Sequence, residues 1–171
     1  MYRDLTKGNI TKTILIFVLP MMAGNLLQQF YNIADTLIVG KFLGSDALAA
    51  VGSAYTLMTF LTSILLGLSM GAGAVFSIYQ GKGDTERLRA SILHAFGLIF
   101  AITVVLNAAV FLWIDPILAS LNVPRQVYPL MREYLWIIFM GIGATFLYNF
   151  FSCLLRAMGN SAIPLLYLGI S

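Results

Sequence analysis

Cysteine and histidine each occur once, as Cys153 and His94, and charged residues make up only 10% of the 171-residue chain. A lone cysteine excludes a disulfide framework. A lone histidine with no cysteine cluster gives no basis for a zinc site. No run of basic residues is interleaved with aromatics outside the apolar stretches, so the formal charge of +3 does not point to nucleic acid. Paired acids, a histidine cluster and a nucleophile beside a base are also missing from the pattern, which argues against an enzyme. An ordinary soluble domain is about one-quarter charged. The shortage of charge here therefore excludes that class and turns attention to the membrane.

Sixty per cent of the residues are hydrophobic, and they fall in long blocks. The stretches Thr13 to Ala34, Ala47 to Gly81, Ala90 to Ile114 and Tyr134 to Leu155 contain no charge. Each exceeds the roughly 18 apolar residues that license a spanning helix. A fifth, Ala157 to Ser171, is uncharged but shorter. The expected fold is an all-α polytopic membrane helix bundle. Its spans lie near 14–39, 47–80, 90–114 and 131–155, with a truncated fifth at 161–171. The last span stops in mid-helix, so the chain reads as the N-terminal piece of something longer. The first span is too long for a cleaved signal peptide, and no small-residue cleavage site follows it.

Basic residues set the orientation. Arg3, Lys7, Lys12, Lys82, Arg87, Arg89 and Arg156 fall on one side of the spans, and only Lys41, Arg125 and Arg132 on the other. Basic residues favour the cytoplasmic side, which puts the N-terminus there. The expected location is a plasma membrane of the prokaryotic inner-membrane type.

The stretch Leu19 to Lys41 carries the strongest functional signal. Asn25, Gln28, Gln29, Asn32, Asp35 and Thr36 share one helical arc of about 120°, with Leu26, Leu27, Phe30, Ile33, Ala34 and Leu37 opposite. Such a polar face must meet other helices or water, and an ionisable group on it is a functional candidate. Asp35 lies within two turns of Lys41 and could simply reach the headgroups. An interfacial aspartate needs no polar track running deeper into the span, however, and the continuity with Gln28, Gln29 and Asn32 favours function.

Pro20 falls inside the same span, where it removes the hydrogen bond to the Ile16 carbonyl, so a kink is expected there. In span two, Thr59, Ser63, Gly67 and Gly71 form a ridge of small residues that ends in a GxxxG match, expected to serve helix packing. Gly81, Gly83 and Asp84 should end that helix, and Asp84 to Arg89 should open the next. Asp115-Pro116 and Asn122 to Pro129 suggest an irregular connection after span three. Span four carries a second polar arc of about 100°, formed by Thr145, Tyr148, Asn149, Ser152 and Arg156. The two arcs either face a wet cavity or satisfy one another in a dry interface.

These segments carry a resemblance. QQFYNIADTLIVGKFLGSDALAAVG, GLSMGAGAVFSIYQGKGD and LLRAMGN before a proline are similar, together and in this order, to the opening of multidrug and toxic compound extrusion (MATE) transporters. The resemblance runs over the whole chain. It implies a twelve-helix antiporter of two lobes that exports cationic or amphipathic drugs against a proton or sodium gradient, with the coupling ion and no cofactor. It also implies that Asp35 is the coupling carboxylate, and a metal ligand if the ion is sodium. Asn32 would join it in ion coupling. Gln28, Tyr31, Asn32, Tyr148 and Asn149 would front the substrate cavity, and Pro20 would be the hinge. The expected partners are membrane lipid and the remaining helices of the transporter, and the polar partners of Asp35 would lie beyond Ser171. A flippase for lipid-linked precursors, or a helix-bundle fragment that does not transport, are the alternatives.

Overall fold

The computed structural model describes residues 10–42, 44–120 and 127–170, and among them every element is an α-helix. In chain order these are α1 (Ile10–Phe42), α2 (Gly44–Lys82), α3 (Thr85–Ser120), α4 (Tyr128–Met140), α5 (Ile142–Ala157) and α6 (Ala162–Ile170). Three of them are long and apolar enough to cross a membrane alone, and α4 with α5 supplies a fourth span as a bent pair. The expected polytopic bundle is what the chain forms. At 39 residues α2 is roughly 58 Å long, well beyond a hydrocarbon core of about 30 Å.

Short turns reverse the chain between spans, so successive spans run antiparallel. We call the end at which α1 starts proximal and the end at which it stops distal. At the proximal turn Gly83 adopts a φ of 71°, open to glycine but costly to other residues. Asp84 caps α3 there, its Oδ1 accepting from the Arg87 N–H at 3.0 Å, as the sequence leads one to expect. α1 runs to Phe42 and α2 begins at Gly44, so both helices extend past the expected span ends at 39 and 47.

The core lies among α2, α3, α4 and α5. Leu65, Phe76, Ile99, Met131, Leu135, Phe139, Phe146 and Phe150 are all buried there. Phe96 links the helices, with ring centroids 5.4 Å from Phe146 and 5.3 Å from Phe150. These are the offset and edge contacts that aromatic quadrupoles favour. The buried positions of α2 define the face that packs on α5, and its closest approach is at Gly73. A Cβ there would lie 3.5 Å from the Cys153 Cβ and 3.5 Å from its carbonyl oxygen.

Two helices depart from the expected boundaries. Span three continues through Asp115-Pro116 to Ser120, and the break falls upstream at Trp113, with φ −115° and ψ 21°. Pro116 can neither bond to nor pack normally against the Leu112 carbonyl one turn back, so the distortion appears before the proline. The resumed helix is tied to α4, for the Tyr128 hydroxyl donates to Asp115 Oδ1 at 2.8 Å and Arg132 Nε pairs with the same oxygen at 3.0 Å. Most of the expected irregular connection, residues 121–126, lies outside the described residues. Span four, in turn, is not one helix. It bends by 46° at Gly141, where a Cβ would press to 3.2 Å of the Ile138 carbonyl. The Phe139 carbonyl, which takes a backbone N–H at the α4 C-cap, also accepts from Asn107 Nδ2 of α3 at 2.9 Å. That second bond ties the bend to α3 and satisfies the Asn107 amide inside the membrane.

Helix α1 stands apart from this core. It contacts only α2 and α6, and no described side chain on it is buried.

Candidate functional site

Because α1 leans away from α5 while α6 joins it near the proximal end, a cavity of about 830 Å³ opens between them. From α1 it receives Pro20, Met21, Gly24, Asn25 and Gln28. From α5 it receives Thr145, Tyr148, Asn149, Ser152, Cys153 and Arg156. Thr62, Leu66 and Met70 of α2 form the back wall, and Ser161, Pro164, Leu165 and Tyr167 close the proximal end. Asn25 and Gln28, the proximal part of the α1 polar arc, therefore share a cavity with the polar arc of α5 and do not seal a dry interface with it. A volume of this size is within the range of sites for drug-sized molecules.

The α5 wall is preset by local chemistry. Asn149 Nδ2 donates to the Thr145 carbonyl at 2.8 Å, one turn back, which fixes the amide and leaves its oxygen available. Tyr148 is half-buried and Ser152 buried. At the proximal end Asn160 Oδ1 accepts from the Ile163 N–H at 3.2 Å and caps α6, which begins after the expected turn at Gly159 to Ser161. Arg156 is half-buried. It is the sole ionised side chain lining the cavity, and its Nε is buried with no hydrogen-bond partner. Asn160 Nδ2 is likewise buried and unpartnered.

The candidate residues divide between places. Pro20, Gln28, Tyr148 and Asn149 line the large cavity. Asn32 does not, and instead borders a second hollow of about 430 Å³ between the distal halves of α1 and α2, beside Thr36 and Tyr55. There Asn32 Nδ2 donates to Gln29 Oε1 at 3.3 Å, and its carbonyl accepts from the Thr36 hydroxyl at 2.8 Å. Asp35 and Tyr31 line neither hollow. Both are exposed on the distal half of α1. Pro20 sits in a helix that runs through it without interruption.

Gly67 and Gly71, expected to serve helix packing, meet no neighbour among the described residues. A Cβ at either glycine would meet nothing within 4 Å, because both lie on the face of α2 turned away from its buried positions. Gly73 is the glycine that allows close approach. Several cavity residues also escaped the sequence reading, namely Met21, Thr62, Met70 and the group from Ser161 to Tyr167. Asn25, on the expected polar face, was the one signal available for that level of α1.

Comparison with known proteins agrees with this architecture. The MatE family model matches residues 20–171. The chain is 36% identical over 169 residues to the probable multidrug resistance protein YpnP of Bacillus subtilis, covering 98% of this chain and 38% of that protein. It superposes on a crystal structure of MATE in complex with MaD3S with a TM-score of 0.88 at 26% identity, over 96% of this chain and 37% of that one. A structure of MATE in the bent conformation gives a TM-score of 0.80 at 27% identity, over 95% and 36%. The chain thus spans less than two-fifths of the length of these relatives.

Proposed function

The chain belongs to the MatE family, and from that premise we propose that it is the N-terminal part of a secondary active antiporter exporting cationic or amphipathic drugs in exchange for protons or sodium ions. The observation that carries this reading is the large cavity itself. Asn25 and Gln28 of the α1 arc and the polar arc of α5 front one space, lined also by apolar groups suited to amphipathic molecules. The distribution of basic residues supports a cytoplasmic N-terminus, and the proposed membrane is the plasma membrane. The cavity then opens in the cytoplasmic half of the bundle, where a drug would be collected. The chemistry is binding and release, with no covalent step.

Coupling follows from how α1 is held. Among the described helices α1 touches α2 and α6 and lies outside the α2–α5 core, and Pro20 lies both in α1 and on the cavity wall. Binding of a proton or sodium ion at Asp35, with Asn32 three residues away, changes the charge on the distal half of α1. A ligand moves such an equilibrium only through its differential affinity for the two states, so ion and drug must favour different positions of α1. The flippase alternative calls for a strongly basic cavity for a pyrophosphate, and Arg156 is the sole cation on this wall.

The test is efflux of a fluorescent drug from cells or vesicles that carry the complete transporter containing this chain. Asp35→Asn should abolish gradient-driven efflux and leave insertion and expression intact. Normal efflux by a well-expressed mutant would return Asp35 to an interfacial role.

A further inference from the structure

The bend of span four joins two helices with different duties. Among the described residues α4 lines no part of the large cavity, whereas α5 supplies its polar wall, with Thr145, Tyr148, Asn149 and Ser152. Helix α4 is tied to α3 along its length. Its distal end is held through Asp115, which accepts from Tyr128 and Arg132, and its middle through Phe111 and Trp136, whose ring centroids stand 4.7 Å apart. The third tie is at the joint itself, where Asn107 Nδ2 of α3 donates to the Phe139 carbonyl at 2.9 Å.

Other polar side chains of these spans turn back on their own helices. Ser63 donates to the Thr59 carbonyl, Thr103 to that of Ile99 and Asn149 to that of Thr145, each one turn back. The same solution would satisfy the Asn107 amide inside α3. Instead the amide crosses to another span, two residues before the break at Gly141. The need for a partner in the membrane does not account for that choice of direction.

We infer that Asn107 is a positioning residue for the cavity: by tying the break in span four to α3, it sets the angle and height at which α5 presents Thr145, Tyr148 and Asn149. The inference rests on the export reading, in which that wall meets the drug. The lever is long enough to matter. Asn149 lies roughly 12 Å past Gly141 at 1.5 Å per residue, so a change of about 10° in the 46° bend moves it by about 2 Å. A displacement of that size breaks a hydrogen bond to a ligand. The packing of Phe96 on Phe146 and Phe150, and the approach of Gly73 to Cys153, hold α5 laterally, but apolar contact is non-directional. A hydrogen bond at the joint is directional.

The test uses the complete transporter containing this chain, in nanodiscs for equilibrium binding of rhodamine 6G and in vesicles for its efflux. Asn107→Leu should raise both Kd and KM for rhodamine 6G by about threefold or more, with kcat per folded transporter within about twofold of the parent. A residue that only stabilised the fold would lower the folded fraction and leave Kd and KM where they were. Asn107→Gln keeps the amide donor and should recover most of the affinity. Thr103→Val is the control, one turn away on α3 with a bond that stays inside its own helix, and should bind as the parent does. Gly141→Ala perturbs the joint from span four itself, since its Cβ would press to 3.2 Å of the Ile138 carbonyl. It should weaken binding too, and the double variant should lose less than the product of the two, because both act on one bend. An unmoved Kd in Asn107→Leu, or in Gly141→Ala should the first not fold, overturns the inference, as does an equal loss in Thr103→Val. Binding needs no gradient, so a transporter that binds rhodamine 6G without exporting it defeats the export reading while the titration still decides on Asn107.

Discussion

Replacing Gly73 by valine should loosen the α2–α5 seam, and the size of the effect follows from the contact. An added Cβ at Gly73 would lie 3.5 Å from both the Cys153 Cβ and its carbonyl oxygen, which is ordinary contact. Gly73→Ala should therefore be close to neutral. The two further methyl carbons of valine have no such room, because the facing atoms include backbone that cannot rotate aside. Overpacking of this kind costs about 1–3 kcal/mol. Cys153 is 7% exposed and borders both the seam and the cavity, so its labelling quickens when the helices part. The share of labelling that passes through local opening follows the opening equilibrium. The expected acceleration of that share for Gly73→Val is roughly 5- to 150-fold at 1.4 kcal/mol per factor of ten. Gly67→Val is the control, for a Cβ there meets nothing within 4 Å, and its rate should match the parent chain. The assay is stopped-time maleimide labelling in nanodiscs, read by mass. Equal rates for Gly73→Val and the parent would refute the seam as described, and acceleration by Gly67→Val would restore the GxxxG packing role.

Pro20→Ala restores the hydrogen bond to the Ile16 carbonyl and stiffens α1. In the complete transporter turnover should fall several-fold with drug affinity within about twofold, and equal turnover would leave Pro20 a packing residue. Asn107→Leu removes the side-chain bond between α3 and the Phe139 carbonyl at the bend of span four, which keeps its backbone partner. The expected cost is about 0.5–1.5 kcal/mol, read as a fall of roughly 1 to 6 °C in the thermal midpoint, and an unchanged midpoint would show that the bend does not need this bond.

Periodicity made much of this molecule legible. The uncharged runs located the spans, and the angular arcs of Asn25 to Thr36 and Thr145 to Arg156 identified two faces that the fold brings to one cavity. Angle alone says nothing about height, however. Asp35 shares its arc with Gln28 yet sits too far along a helix that diverges from the core, so only the lower part of the arc reaches the cavity. The bend at Gly141 was hidden because the residues around it are apolar on both sides, and hydropathy does not register a broken backbone. Small residues in α2 were ambiguous for a related reason. Gly67, Gly71 and Gly73 lie close together in sequence, and which of them meets a neighbour depends on where α5 packs, a tertiary fact. Arg156 was visible as part of an arc. The burial of its Nε without a partner among the described residues became apparent only in the folded chain.

The separation of α1 from the core also sets an order of events during synthesis. Gly24 packs against Leu165, with the nearest Leu165 methyl 3.7 Å from where a Cβ would be, so α1 meets its proximal partner across most of the chain. At about 5–20 residues per second, some 7 to 30 seconds pass between the appearance of the two residues. Through that interval Asn25 and Gln28 of α1 have no α6 beside them, and among the described helices α2 alone offers shelter. A nascent chain of this design depends on something to shield its first helix until α6 arrives, whether the insertion machinery, local water or a headgroup. Slowing translation after α5 should then lengthen the period of exposure and increase the fraction degraded before the cavity closes.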